Sequence, residues 1–226
     1  MPNHHTYLYN ETKHSPIIII GMHRSGTTMI ARILDSMGLF LGNDREENHE
    51  SIFFNRQNEW LLRASGGRWD TPNTIDNIFR HKEGCKYADQ YLSQKIQSAS
   101  VFQYLGIGNY VRYRSLFKFP INSSASNSII HVVRNGIDVS LSLQSRFING
   151  SNKSIEKFKK YKRLIAAKGK RGWFGTSPRV LDPLEGFKLW EEYLTIGNNN
   201  LKSISPVNLL TIQYERFLQD PRAYLR

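Results

Sequence analysis

The chain has 226 residues, of which 39% are hydrophobic and 22% charged, so it is long enough for one substantial core and ordinary for a globular protein. Its 31 Lys and Arg against 19 Asp and Glu give a formal charge of +12. This excess favours an anionic partner without choosing among a nucleotide, a nucleic acid, an acidic polysaccharide and a membrane surface.

The cysteine and histidine content excludes several site types. Cys85 is the single cysteine, which rules out an internal disulfide and is typical of a reducing compartment. The seven histidines show no metal-ligand spacing. No apolar run approaches the length of a membrane span, and polar residues 1–15 do not resemble a signal peptide. We therefore expect a cytoplasmic protein with no metal and no transmembrane segment.

The first predicted unit is a strand followed by a helix. Ile17 to Ile20 is a β-branched run closed by Gly21, which is typical of a strand buried on both faces of a parallel sheet. Residues 25–37 carry apolar side chains at helical spacing, and Gly38 predicts the end of that helix.

The turn between them, Gly21 to Thr28, has the glycine spacing of a phosphate-binding loop. Backbone N–H groups and the helix dipole of such a loop attract anions. Thr27 occupies the position of the usual lysine, however, and the cation of the loop is Arg24. This argues against an ATPase or GTPase, which needs that lysine on the phosphates. The alternative is a tight turn that binds no ligand.

The same pattern of strand and helix returns twice. Residues 129–133 predict a strand with a helix after Gly136, and residues 207–212 predict a third strand. Further on, Asp220 resembles an N-cap with proline at the first helical position. The helical segments 53–63 and 187–194 carry aromatic residues expected in the core.

These units predict an α/β fold: a single domain with a central parallel sheet flanked by helices. We expect residues 1–15 to be a flexible N-terminus and residues 16–226 to form the domain. Because the sequence stops a few residues into the last predicted helix, we expect either a truncated chain or an unusually short member of its class.

Three motifs resemble those of PAPS-dependent sulfotransferases, and the match looks closest to bacterial members. Arg24-Ser25-Gly26-Thr27-Thr28 is similar to the (K/R)-S-G-T-T loop of that family. Arg134 and Ser142, eight residues apart, match the pair that holds the 3′-phosphate of PAPS there. Tyr214-Glu215-Arg216-Phe217-Leu218 is similar to the Y-E-D-L element, whose tyrosine lies near the nucleotide.

The resemblance implies a P-loop NTPase-like sulfotransferase fold and PAPS as sulfuryl donor, without a metal. It implies that Arg24 stabilises the leaving group, and that the loop residues Ser25, Gly26, Thr27 and Thr28 hold the 5′-phosphate. No K-D-P segment precedes the second strand and no R-K-G element follows. Donor binding is therefore expected to differ from that of the eukaryotic cytosolic enzymes.

The catalytic base is expected after the first helix, where the family places His or Glu. Glu50 is favoured because it directly precedes an apolar stretch, which would raise its basicity. Glu47, Glu46 and His49 are the alternatives, and each is also readable as a solvated loop residue.

The acceptor is expected to be a hydroxyl or amine of a small molecule, a glycan or a lipid, and its identity stays open. Lys153 to Arg171 holds nine basic residues, and it is either a solvated cationic helix or an arm over the acceptor cleft. Its aromatic density does not indicate a nucleic-acid surface. The competing functions are a P-loop nucleotide kinase or NTPase and a non-catalytic nucleotide- or polyanion-binding relative.

Overall fold

The computed structural model describes three stretches of strand and four α-helices within part of the chain. The residues it describes are 17–39, 59–60, 62–72, 77, 80, 82–83, 86–87, 90, 128–161, 177–204 and 208–224, with the backbone alone for 151–161 and 203–204. The strands are β1 (Ile17–Gly21), β2 (Ser128–Val133) and β3 (Asn208–Gln213). The helices are α1 (Thr27–Ser36), α2 (Gly136–Tyr161), α3 (Pro183–Ile204) and α4 (Tyr214–Gln219).

The strands form one parallel sheet in the order β1-β2-β3, with Ile19 paired to Ile130 and Ile130 to Leu210. Alternate residues of β1 enter two cores on opposite faces of this sheet. Ile18 packs with the side chains of α2 and α3, whereas Ile19 packs with those of α1 and α4. The α/β class and the helix-flanked parallel sheet are therefore confirmed. None of the described helices has the length and hydropathy that a membrane crossing requires.

The sequence placed the start of α1 two residues too early. The helix begins at Thr27 because Gly26 is its N-cap in the left-handed conformation, with a φ of 98°. Its end was predicted correctly. Gly38 has a φ of 91° and its N–H donates to the carbonyl of Asp35 at 3.0 Å. The N–H of Leu39 donates to the carbonyl of Leu34 at 2.9 Å. These are the two bonds of a Schellman motif.

The remaining predicted elements are confirmed where the structure describes them. The segment 187–194 lies inside the longer α3, and residues 59–60 and 62–63 of the segment 53–63 are helical. The Asp220 side chain caps the following turn by accepting the N–H of Arg222 at 3.1 Å. That turn is a short 3-10 helix, Pro221–Ala223, rather than the start of an α-helix. Residues 1–15 lie outside the described part.

His131 is a titratable side chain inside the sheet. It sits on β2 between Ile20 and Thr211 of the neighbouring strands and is 3% exposed. Burial lowers the pKa of His131 to about 4, because the charged imidazolium loses its hydration. The group is therefore neutral in the folded protein at any pH near neutrality.

We expect His131 to make folding sensitive to mild acid. Its pKa is near 6.5 in the unfolded chain and about 4 when folded, so protonation favours unfolding as the pH falls through this window. Above about pH 6.5 the neutral His131 does not lower the free energy of unfolding. By about pH 4.5 that free energy should have fallen by about 2–3 kcal/mol. Urea unfolding of wild type and of His131→Gln, measured between those pH values, checks this. Parallel pH curves for the two proteins would contradict it.

Candidate anion-binding site

The loop between β1 and α1 turns at two residues with positive φ. Arg24 has a φ of 70° and Gly26 a φ of 98°. For a side chain such as arginine this conformation costs energy, and it is retained where the surroundings require it. Ser25, between them, is 2% exposed, and its hydroxyl donates to the carbonyl of Met22 at 2.6 Å. The loop backbone is thus fixed in a curled conformation of the type that binds anions.

The N-terminus of α1 opens into this curl without a capping side chain. Its N-cap, Gly26, has no side chain that could accept from the first N–H groups, and no acid lies in the first turn. The first backbone N–H groups of a helix have no intrahelical partner, and the dipole places partial positive charge there. A negatively charged group is therefore the natural complement of this end of the helix.

Two arginines converge beside the loop. Nε of Arg24 donates to Oγ of Ser142 at 2.8 Å, and Nη1 of Arg134 donates to the carbonyl oxygen of Arg24 at 3.0 Å. Among the described residues Nε of Arg134 is buried without a hydrogen-bond partner, and neither arginine forms an ion pair. Partial burial lowers the pKa of Arg24, and the positive charges of Arg146 and Arg134 act in the same direction. Within the described part of the chain, no carboxylate therefore balances the charge of this cluster.

Tyr214 joins the loop to Arg134. The guanidinium carbon of Arg134 lies over the Tyr214 ring, 4.8 Å from its centroid, which is cation–π geometry. The ring also lies so close to Gly26 that a Cβ added there would clash with ring carbons Cδ2 and Cε2. The first residue of α4 is thus in contact with both the loop and the arginine.

The peptide unit between Arg134 and Asn135 is held at both of its polar ends. Nε1 of Trp190 donates to the Arg134 carbonyl at 3.0 Å, and Oε1 of Glu215 accepts the Asn135 N–H at 2.9 Å. Trp190 comes close enough because residue 136 is glycine, where a Cβ would be 2.6 Å from its ring. These two contacts, which we call the peptide clamp, fix the direction in which Arg134 leaves β2.

The side chain of Asn135 connects the clamp to α2. Its Oδ1 accepts the N–H of Ile137 at 2.9 Å and that of Asp138 at 3.4 Å, which makes Asn135 the N-cap of the helix. Neither Trp190 nor Glu215 was singled out as a site residue, since their bonds join residues 56 and 80 positions apart.

The loop, one face of α1, Arg134 and Tyr214 surround a groove of about 490 Å³, within the size range of ligand sites. It lies at the carboxyl ends of the parallel strands, where α/β proteins bind ligands. Among the residues that the structure describes, ten line this groove, of which three are arginines and none is acidic.

The groove brings together six of the eight residues that the sequence proposed for donor binding: Arg24, Gly26, Thr27, Thr28, Arg134 and Tyr214. The other two, Ser25 and Ser142, are not among its lining residues. The hydroxyl of Ser25 faces inward on Met22, and Ser142 accepts from the Arg24 side chain. The role of each residue in donor binding stays a prediction.

Several predicted features fall outside the described residues. Among them are the four base candidates, Glu46, Glu47, His49 and Glu50, and the part of the basic stretch beyond Tyr161. The backbone of residues 153–161 is helical, in agreement with the predicted spacing. Within the described residues, no group of three His, Cys, Asp or Glu is placed to hold a metal ion.

An aromatic cluster holds the opposite side of the loop. The ring of His23 meets the rings of Trp69 and Tyr193 at centroid distances of 5.4 and 6.4 Å. The hydroxyl of Tyr193 donates to the Trp69 carbonyl at 2.6 Å, and Arg179 donates to the carbonyl of Asp70 at 2.8 Å. His23 is therefore used to anchor the loop to α3, and it does not line the groove.

Two solved structures are similar to this chain. Both are sulfotransferase domains. The one from the curacin biosynthetic pathway has 14% identity and a TM-score of 0.48 over 94% of this chain and 71% of that chain. The one from the Synechococcus PCC 7002 olefin synthase has 15% identity and a TM-score of 0.36 over 96% of this chain and 74% of that chain. No family model matches the chain, and no curated protein matches it.

The contact between Gly26 and Tyr214 gives a direct test of the loop geometry. Gly26→Ala should destabilise the fold through both the left-handed backbone and the clash with the ring. Gly38→Ala is the matched control, because Gly38 has a similar φ but open space around it. We expect Gly38→Ala to lower the free energy of unfolding by about 1 kcal/mol. Gly26→Ala should lower it by about 1–3 kcal/mol more, and urea unfolding measures both.

The same comparison in a Tyr214→Ala background isolates the ring. There the additional cost at Gly26 should disappear, since the two sites are coupled only through this contact. Equal costs for the two glycine variants in the wild-type background would show that the Tyr214 ring does not rest on the loop.

Proposed function

We propose that this chain is a sulfotransferase that moves a sulfuryl group from PAPS to a hydroxyl or amine and releases PAP. The observation that carries the proposal is the groove at the carboxyl end of the sheet. It combines a curled loop, a helix N-terminus whose N-cap is a glycine, and three arginines, with no acid among the lining residues that the structure describes. PAPS fits this set of groups because it carries negative charge at two separate positions.

The position of Thr27 favours this function over an ATP- or GTP-dependent one. A P-loop NTPase needs a lysine there to contact the β- and γ-phosphates. Thr27 is 6% exposed and begins α1, so this position supplies no cation to the groove. The cations come instead from Arg24, within the loop, and from Arg134, at the end of β2.

The proposed reaction is an in-line displacement at sulfur. The acceptor oxygen or nitrogen forms a bond to sulfur while the bond from sulfur to the 5′-phosphate oxygen breaks, and PAP leaves with that electron pair. Negative charge grows on the leaving oxygen, and the guanidinium of Arg24 is the group we assign to stabilise it. The loop N–H groups with Thr28 hold the 5′-phosphate, and Arg134 with Ser142 is assigned to the 3′-phosphate. Fixed cations and dipoles of this kind act by positioning and electrostatics.

The acceptor must give its proton to a base, and we assign this role to Glu50 on the sequence argument.

Turnover distinguishes this proposal from a third possibility, a non-catalytic binder of nucleotides or polyanions. A binder would retain the groove and its affinity for PAP without turnover. Product formation from radiolabelled PAPS with a panel of hydroxyl and amine acceptors distinguishes the two.

We expect PAP to bind without a divalent metal. Calorimetric titration of the protein with PAP in the presence of EDTA measures this, and Mg-ATP is the comparison ligand. Binding of PAP in EDTA, with weaker binding of Mg-ATP, supports the proposal. Clear binding of Mg-ATP with none of PAP would overturn it in favour of a nucleotide kinase or NTPase.

Glu50→Gln should preserve donor binding and lower turnover, because glutamine keeps the shape of the side chain but cannot accept the proton. A positioned general base contributes about a hundred- to ten-thousand-fold, so kcat should fall by about that factor. Glu46→Gln and Glu47→Gln are the matched controls and should change kcat much less. Normal turnover in Glu50→Gln together with its collapse in Glu47→Gln would move the role to Glu47. Retention in all three would point to His49 or to an acceptor amine that arrives deprotonated.

A further inference from the structure

An arginine of α2 follows the contact between the loop and that helix by one helical turn. Nε of Arg24 donates to Oγ of Ser142 at 2.8 Å, and Arg146 comes four residues after Ser142 on the same face of the helix. This spacing places Arg146 about 6 Å further along the helix axis. The positive charge of the loop therefore continues outward along α2.

Arg146 is exposed, and in the described part of the chain no carboxylate balances its charge. Among those residues its side chain forms no hydrogen bond either, in contrast to Arg24 and Arg134. The pKa of Arg24 is lowered first by burial and then by the charge of Arg146, because the two guanidinium groups are near one another. Like charges in this arrangement favour an anion beside them.

This cation is not part of the donor groove. Arg24 lines the groove, whereas neither Ser142 nor Arg146 does. A group bound to Arg146 would therefore lie beside Arg24 without occupying the space that the donor fills. In the proposed reaction Arg24 contacts the leaving oxygen, so the transferred sulfur is close to it. The acceptor has to reach that sulfur from outside the donor, and Arg146 is placed to bind an acceptor there.

The face of α2 that carries Arg146 stays basic toward the end of the helix. Lys153 and Lys157 fall on it by helical spacing, and the backbone is helical through both. Acids are sparse in this helix, whose sequence contains Asp138 and Glu156 alone. Cations repeated every one or two turns complement a ligand whose negative charges are also repeated. The planar guanidinium of Arg146 suits a carboxylate in particular.

We propose that the acceptor is an acidic saccharide and that Arg146 binds one of its carboxylates, next to the hydroxyl that receives the sulfuryl group. This inference rests on the proposed function and deepens it, because it gives the acceptor a chemical class and names a residue that selects it. The hydroxyl oxygen bonds to sulfur, its proton passes to the base, and the 5′-phosphate oxygen of PAP leaves with the electron pair.

The test titrates the complex of the protein with PAP calorimetrically, using a galacturonate hexamer and its neutral counterpart maltohexaose. Wild type should bind the galacturonate hexamer more tightly than maltohexaose. Arg146→Gln should weaken galacturonate binding by about tenfold or more, because a charge-assisted contact is lost. Its affinity for PAP should change by less than about threefold, since salt screens a charge outside the groove. Arg146→Lys should recover part of the galacturonate affinity.

Arg216→Gln is the matched control for net charge. Arg216 is exposed on α4, which packs in the core on the opposite face of the sheet from α2. Its removal should weaken galacturonate binding by less than about twofold, because salt screens an exposed charge at that distance. Thermal unfolding verifies that each variant is folded before titration.

The outcomes separate this inference from the proposed function. Failure of wild type to bind PAP overturns the proposed function and the inference with it. If wild type binds PAP but its complex does not prefer galacturonate, or Arg146→Gln binds galacturonate normally, the function stands and the acceptor class is wrong.

Three further results would also refute the inference. Displacement of PAP by galacturonate, or a large loss of PAP affinity in Arg146→Gln, would place the interaction in the donor groove. An equal loss of galacturonate affinity in Arg216→Gln would reduce it to net charge. Equally tight binding of a thymidine hexanucleotide would show a general affinity for polyanions instead of a site for acidic saccharides.

Discussion

The peptide clamp on Arg134 and Asn135 is the constraint on which the site depends. One peptide unit donates to Glu215 of α4 and accepts from Trp190 of α3, so two helices from different parts of the chain determine its plane. Backbone N–H and C=O groups form hydrogen bonds in folded proteins, and side chains supply both partners here. With that plane fixed, Arg134 can reach only toward the loop, and α2 must begin where Asn135 caps it.

The clamp also explains why the groove is lined with cations and yet remains ordered. Arg24 and Arg134 repel one another, and each would gain from turning outward into water. Arg134 is held by the carbonyl of Arg24 and by the Tyr214 ring, and Arg24 by Ser142. The repulsion is thus kept in the structure in the absence of an anion. It is available to be relieved when a negatively charged ligand enters, which is the meaning of preorganisation in an electrostatic site.

The elements were predictable from the sequence because their signals are local. The four consecutive isoleucines of β1, the glycines of the loop and Gly38 each specify backbone conformation within a few residues. Two separate motifs singled out Arg24 and Arg134, and the structure places both beside one groove. Sequence position alone could not show that the hydroxyl of Ser25 faces inward, because either direction is compatible with a serine in a tight turn.

Long-range contacts were the part that the sequence could not supply. From the sequence alone, Glu215 is one charge of a short helix and Trp190 is an aromatic residue expected in the core. Only the fold shows that they lie beside Asn135 and Arg134. Local patterns set the elements, and the pairing of β2 with β3 decides which side chains meet.

The separation of the clamp residues along the chain has a consequence for synthesis on the ribosome. Domains emerge N-terminus first, and contacts between distant residues form late because they must await the second partner. The loop, α1 and β2 are all translated well before Glu215, which lies 80 residues beyond Asn135. A nascent chain that already pairs β1 with β2 therefore lacks Glu215, the acceptor that holds the peptide unit between Arg134 and Asn135. The groove is completed only when β3 and α4 have left the exit tunnel.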